Sequence, residues 1–110
     1  MPSEKLDLLQ GTLDVMVLKT LVAMGPMHGY GIALRIEQIS DGVFCVNPGS
    51  LLPALSRLER AGHVKTEWRT SENNRRAKYY VLTQRGRKAL EAERQQWGHQ
   101  TAAINRILEA

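Results

Sequence analysis

The ionisable side chains of this 110-residue chain are distributed unevenly, and the basic ones are concentrated in one segment. Residues 63–88 contain eight Lys or Arg and two Asp or Glu, which gives that segment a net charge of +6 within a chain of net charge +4. Concentrated positive charge is typical of a protein that binds a polyanion such as DNA. Basic residues that served only solubility would be spread more evenly.

Residue types that could form a catalytic or metal site are present, but their spacing does not fit such a site. The three histidines lie far apart in the sequence, so we expect no metal and no cofactor. Ser50 does not lie in a nucleophile-elbow motif, and Gly29 and Gly31 lack the third glycine and preceding strand of a nucleotide-binding loop. Cys45 is expected to be a buried, inert thiol. The sequence therefore favours a binding protein over an enzyme.

The composition is that of a small globular protein with one core. Apolar residues make up 43% of the chain, yet no apolar run approaches the roughly 20 residues of a membrane span. The N-terminus lacks the layout of a signal peptide, and the single cysteine excludes an internal disulfide framework. We therefore expect a cytoplasmic protein that has no membrane partner.

The segment 47–62 has the pattern of a short amphipathic helix. At about 100° per residue, Leu51, Leu55 and Leu58 lie on one face. The opposite face carries Pro53, Ser56, Arg57 and Arg60. A small, polar and basic face of this kind can enter the major groove of DNA. The alternative is an ordinary amphipathic helix with solvated arginines.

We predict that this helix begins at Ser50, whose hydroxyl can accept a hydrogen bond from a backbone N–H of the first turn. Pro53 would then be the third helical residue, where its missing N–H has no intrahelical partner. A start at Asn47 would instead place Pro53 in the middle of the helix. Gly62 suits the left-handed residue that follows a helix C-terminus.

Two further helices are predicted before this one. The first begins at Thr12 and ends at Gly25-Pro26, and it is apolar on almost every side, which indicates burial on more than one side. The second follows a turn over residues 27–32, with Ile32, Ile36 and Ile39 as its core stripe.

Strands are predicted at 43–46, 63–71 and 77–82, and a last helix begins at Thr83. The last two strands form a hairpin with a basic tip. In the return strand, alternation places Tyr80 in the core and Tyr79 on the more exposed face. This order predicts a mainly α fold with a small β-hairpin (α+β). Residues 1–82 would form a winged helix-turn-helix domain, and residues 83–110 a dimerisation helix.

Several short stretches resemble the PadR family of bacterial transcriptional regulators, particularly its short members with a single C-terminal helix. The stretches are Leu9-Gln-Gly-Thr-Leu13, Gly25-Pro-Met-His-Gly-Tyr-Gly-Ile32, Gly49-Ser-Leu-Leu-Pro-Ala-Leu55, Arg57-Leu-Glu59 with Gly62, and Arg75-Arg-Ala-Lys-Tyr-Tyr-Val-Leu-Thr83 with Gly86. The resemblance implies a homodimeric, operator-binding protein, usually a repressor. In the family the third helix usually carries tyrosine where this chain has Leu52, which has no hydroxyl to offer DNA.

The predicted DNA contacts come from the second helix, the third helix and the hairpin, which would act as the wing. They are His28, Tyr30, Asn47, Gly49, Ser50, Ser56, Arg57, Arg60, Arg75, Arg76, Lys78 and Tyr79. The alternative for His28 and Tyr30 is simple packing at a turn. A winged-helix module that binds another protein is the alternative function, but the basic segment favours double-stranded DNA.

The predicted dimer contacts lie on the first and last helices, because an apolar stripe on a projecting helix needs a partner. They are Leu13, Val17, Leu90, Trp97, Ile104, Ile107 and Leu108. Trp97 stands among polar and small residues, and one hypothesis is that the indole lies at the two-fold axis of the dimer. There it would either pack on its symmetry mate or line a pocket for a flat aromatic effector, as resemblance to drug-binding members of the family implies.

Overall fold

The computed structural model describes residues 2–110, with side chains described for residues 11–110. It has four helices and three strands in the described chain. They are α1 (Pro2–Met24), β1 (Met27–His28), α2 (Gly29–Ile39), α3 (Pro48–Arg60), β2 (Val64–Thr70), β3 (Arg76–Leu82) and α4 (Gln84–Glu109). The predicted α+β class is confirmed. The predicted helix start at Thr12 is wrong, because α1 runs through that residue.

The three strands form one antiparallel sheet in the order β1-β3-β2. The hairpin pairs Val64 with Leu82 at its base and Thr70 with Arg76 near its tip. On the other edge of β3, the short strand β1 pairs Met27 with Tyr80. The sequence predicts a plain turn there, because two residues are too few to show a strand pattern.

The predicted strand at 43–46 is wrong. This segment is irregular, and β1 occupies the edge of β3 that it would have needed. A hydrogen bond from the Phe44 amide to Ser40 Oγ (3.1 Å) holds the segment close to the end of α2. Phe44 packs against the core while Cys45 is exposed, so the prediction of a buried thiol is also wrong.

The core lies where α1, α2 and α3 meet the sheet and the start of α4. Tyr80 is buried in it and Tyr79 is only partly buried, as alternation in the wing strand predicts. Ile32 and Ile36 are core residues, but Ile39 is 60% exposed at the end of α2 and does not extend their stripe.

Three predicted dimer contacts belong to this core instead. Leu13, Val17 and Leu90 are buried among the chain's own residues, so they have no surface to offer a second subunit. The helix α1, which carries Leu13 and Val17, packs against α2, α3 and β3, and Leu90 lies on α4, which packs against α1. The apolar residues of α4 that follow are exposed: Trp97, Ile104, Ile107 and Leu108.

A tight corner positions α4 against α3 and the sheet. Gly62, in the left-handed region at φ +80°, ends α3. Thr83 donates a hydrogen bond through Oγ1 to the Gly62 carbonyl (2.6 Å) and accepts one from the Gly86 amide (3.0 Å) as the N-cap of α4. Gly86 packs so closely on the His63 carbonyl that no side chain fits there.

Candidate nucleic-acid interface

The third helix is fixed at its start by Asn47 rather than by Ser50. Asn47 Oδ1 accepts a hydrogen bond from the Ser50 amide (3.0 Å), and Pro48 supplies the first helical position. Our prediction of a Ser50 cap is therefore wrong, and Pro53 does lie inside α3. Since Gly49 and Pro53 are both exposed, water can solvate the carbonyl that Pro53 leaves unpaired.

The inner face of α3 is buried and the outer face is open. Leu51, Ala54, Leu55 and Leu58 fill the core and hold the helix in place. The exposed positions are Pro48, Gly49, Leu52, Pro53, Ser56, Glu59 and Arg60. Ser56 and Arg60 are one turn apart, so a polar and basic stripe runs along the outer face.

Arg57 does not lie on that stripe, and our prediction of its orientation is wrong. Its Nη2 atom donates to Asp14 Oδ1 of α1 at 2.9 Å, and both side chains are about one-third exposed (32% and 28%). The position lies at the margin of the outer face, where a long side chain can turn either way. The ion pair draws it towards α1, so it fixes α3 and leaves Arg60 as the exposed arginine of the helix.

The hairpin carries its basic groups close to its tip. Asn74 adopts a left-handed conformation (φ +60°) in the turn, and Arg75 and Arg76 after it are exposed. The Arg76 guanidinium lies 5.6 Å from the ring centroid of Trp68 across the hairpin. That cation–π contact directs the arginine along the wing. Among residues 11–110, no carboxylate lies within 4.0 Å of Arg60, Arg75 or Arg76.

Two other wing cations, Lys78 and Arg69, have partners. Lys78 Nζ lies 4.0 Å from Glu59 Oε1, so it links the wing to α3. Arg69 pairs with Glu67 at 2.7 Å, and its guanidinium also lies 5.5 Å from the ring centroid of Tyr79. Lys78 and Tyr79 thus contribute to the internal order of the wing.

The N-terminus of α2 is built around His28. Its Nδ1 atom accepts the Gly31 amide hydrogen bond (3.0 Å) as N-cap, which satisfies a free donor of the first turn. The imidazole stacks on Tyr30 (6.4 Å between centroids) and meets the edge of Tyr79 (5.5 Å). Tyr30 itself is 76% exposed. His28 therefore has partners within the chain, whereas Tyr30 is exposed; both remain predicted DNA contacts.

These three parts meet around one surface cavity of about 480 Å³. Its lining residues are His28, Gly29, Tyr30, Leu52, Ser71, Arg75, Arg76, Ala77, Lys78 and Tyr80. Six of the predicted DNA contacts therefore come together: His28, Tyr30, Arg75, Arg76 and Lys78 line the cavity, and Tyr79 packs against His28. Leu52 is not among the predicted contacts, and its exposure follows from its place at the edge of the apolar face.

Comparison with known proteins identifies the family of this chain. The sequence profile of the family described as "Transcriptional regulator PadR-like family" matches residues 17–92, which include α2, α3 and the whole wing. The chain belongs to the PadR-like family. The predicted family and the winged-helix fold are thereby confirmed, and so is the predicted class of function, because members of this family are transcriptional regulators and not enzymes.

Solved structures of similar regulators have the same fold. A transcriptional regulator from Clostridium thermocellum is 28% identical, with a TM-score of 0.83 over 91% of this chain and 96% of that chain. A PadR family transcriptional regulator from Eggerthella lenta is also 28% identical, with a TM-score of 0.78 over 99% of this chain and 92% of that chain.

One sequence relative is much longer. An uncharacterized 37.1 kDa protein in a transposon of Streptomyces fradiae is 41% identical over 78 residues, which are 71% of this chain. The PadR-like chain spans about a fifth (21%) of that relative's length.

A second cavity, of about 520 Å³, lies away from the winged-helix surface, between α1 and α4 of this PadR-like chain. Trp97 lines it, and the opposite wall includes Val15, Met16 and Phe44. Among the described residues, no group of three or more His, Cys, Asp or Glu side chains could hold a metal ion. No described helix is long and apolar enough to cross a membrane.

Proposed function

We propose that this chain is a sequence-specific repressor that binds a symmetric operator as a homodimer. The observation that carries the proposal is that the α2 N-terminus, the basic wing and the exposed Leu52 of α3 line one open cavity. In winged-helix proteins these are the parts that contact DNA. Residues 1–82 would supply this surface and residues 83–110 the dimer contacts. The proposal includes a cytoplasmic location, because operator DNA lies in the cytoplasm of bacteria.

On DNA, α3 would enter the major groove with Gly49, Ser56 and Arg60 towards the bases. A Cβ atom at Gly49 would meet only the Asn47 side chain (3.1 Å). Because Gly49 has no side chain, DNA could approach the helix backbone closely at this position. Asn47 and Ser50 would lie at the helix start, close to the phosphates. Arg57 would hold α3 against α1 instead of reading a base.

The wing would follow the DNA backbone and place arginine in the adjacent minor groove. Arg75 and Arg76 are exposed there, and a narrow minor groove attracts such cations. Tyr30 and the α2 N-terminus, which line the same cavity as Arg75 and Arg76, would face a phosphate beside the wing. Lys78 would contribute positive charge close to the groove while it remains near Glu59.

DNA affinity as a function of salt tests this proposal. A duplex selected from a random library should lose affinity steeply between about 50 and 200 mM salt, because neutralised phosphates release counterions. Arg76→Ala should reduce the salt slope by about one, whereas Arg60→Ala should cost about 1–3 kcal/mol and relax the sequence preference. Arg94→Ala, on the exposed part of α4, is the matched control. Affinity that ignores salt would instead support a protein-binding module.

The homodimer is proposed because α4 presents apolar residues beyond the core. Trp97, Ile104, Ile107 and Leu108 are each more than half exposed. A partner α4 would bury them and would set two α3 helices about 34 Å apart, or a multiple of it, on a symmetric site. Ile104→Glu combined with Ile107→Glu should give a monomer in light scattering. Arg106→Glu, on the opposite helix face, should not; a dimer that survives the double change would refute this assembly.

A flat aromatic effector is proposed for the cavity beside Trp97. The cavity combines an indole, which can stack on an aromatic ring, with the apolar side chains of Val15 and Met16. Trp68→Phe leaves Trp97 as the only tryptophan, so its fluorescence reports binding directly. If no planar aromatic compound in a broad panel changes that fluorescence below millimolar concentration, the cavity is a packing feature only.

A further inference from the structure

One large apolar side chain interrupts the polar outer surface of α3. Leu52 is the fifth residue of the helix and is 55% exposed, although Leu51 beside it is 3% exposed. Gly49 and Ser56, the neighbours on its side of the helix, are small or polar and exposed. Exposed leucines are common on protein surfaces, but this one lies in the N-terminal half of the helix that the proposed function places in the major groove.

Leu52 cannot withdraw into the core. The inner face of α3 is already filled by Leu51, Ala54 and Leu55, which are each at most 3% exposed. The Asn47 cap fixes the start of the helix one turn earlier. Leu52 is therefore presented at a defined place, on the wall of the cavity that Tyr30 and Arg76 also line. DNA that contacts the wing and the α2 N-terminus together would cover this wall.

The side chain of leucine limits what it can recognise there. It has no donor or acceptor, and a base edge of polar atoms pressed against it would lose its water without gaining a hydrogen bond. The apolar group that base pairs present in the major groove is the 5-methyl of thymine. We propose that Leu52 is a specificity-determining residue that contacts the methyl group of a thymine in each half-site. The inference rests on the proposed function and names one base of the operator, a thymine, that the chain would recognise.

Replacement of thymine by deoxyuridine tests the contact, because it removes the methyl group and keeps the base pair. A duplex selected by the wild-type chain from a random library is substituted at one thymine at a time. We expect one thymine per half-site whose substitution weakens binding about fourfold, the value for loss of one buried methyl-sized group. In Leu52→Ala that substitution should have no effect. Leu34→Ala is the control, because it alters an exposed leucine of α2 that does not line the cavity shared by Leu52 and Arg76. In this variant the fourfold effect should persist.

The outcomes separate the two hypotheses. If the wild-type chain binds a selected duplex with the expected salt dependence but tolerates deoxyuridine at every thymine, Leu52 does not read a methyl group and the proposed function stands. The same conclusion holds if Leu52→Ala keeps the full deoxyuridine effect. If no duplex is enriched, the proposed function fails, and this inference fails with it. Leu52→Asn, a polar side chain of similar size, should also lose the effect if the contact is apolar.

Discussion

Gly86→Ala should damage the corner that joins α4 to the rest of the fold. A Cβ atom at position 86 would overlap the carbonyl oxygen of His63 and lie 2.8 Å from Leu82 Cδ1. The His63 oxygen belongs to the backbone and accepts the Thr83 amide hydrogen bond (3.1 Å), so it cannot move independently. The helix would have to shift away from the sheet, and the cap on the Gly86 amide would weaken.

The size of the effect follows from three terms. Overpacking a closely packed site costs about 1–3 kcal/mol. Weakening two hydrogen bonds adds about 1–3 kcal/mol. Alanine returns up to about 1 kcal/mol through its better helix propensity. We therefore expect Gly86→Ala to lower the free energy of unfolding by about 1–6 kcal/mol, a large share of the roughly 5–15 kcal/mol typical of a domain.

The same helix contains a matched control. Gly98 is exposed, and nothing lies within 4 Å of the place that a Cβ atom would take there. Gly98→Ala should therefore raise the free energy of unfolding by about 0.5–1 kcal/mol. Urea unfolding followed by circular dichroism, at one chain concentration for all variants, compares the two. A Gly86→Ala variant as stable as the wild type, or stabilised like Gly98→Ala, would refute the close contact with His63.

Three smaller effects can be measured by the same unfolding assay. Asn47→Ala should lower the free energy of unfolding by about 0.5–2 kcal/mol through loss of the α3 cap, and Ser50→Ala should lower it less. If Ser50→Ala had the larger effect, Ser50 rather than Asn47 would be the N-cap of α3. In a double-mutant cycle, Asp14→Ala and Arg57→Ala should show a coupling of about 0.2–1 kcal/mol, because the pair is partly exposed. No coupling would show that the pair is absent in solution. Thr83→Val should cost about 1–2 kcal/mol because it removes both hydrogen bonds of the Oγ1 atom; an unchanged midpoint would contradict this.

Local patterns in the sequence were sufficient for the main elements. The helical spacing of Leu51, Leu55 and Leu58 indicated the buried face of α3, and the alternation around Tyr80 indicated the inward face of β3. Both patterns have the period of the element that forms them, and neither depends on a distant residue. Gly25 and Gly62 ended helices as predicted, because both adopt the left-handed conformation that glycine tolerates.

The sheet edge could not be predicted in this way. A strand forms only where a neighbouring strand offers free backbone donors and acceptors. The sequence alone does not show which of two short segments, β1 or residues 43–46, pairs with the free edge of β3. The fold places Met27 opposite Tyr80, which leaves the more apolar segment without a partner strand in the described chain. Composition favoured the wrong segment because strand pairing is decided by tertiary position.

The candidate site shows the same limit for single side chains. Leu52 and Arg57 lie on opposite margins of the inner face of α3, where periodicity alone does not decide whether a residue is buried, paired or exposed. Arg57 is drawn inwards by a carboxylate 43 residues earlier in the chain, whereas Leu52 lies beside a face already filled by other leucines. The basic residue expected to read DNA therefore supports the helix, and the apolar residue left out of the predicted contacts lies on the surface that DNA would cover. The chemistry of this outer face depends as much on which neighbours occupy its margins as on the residue types in α3 itself.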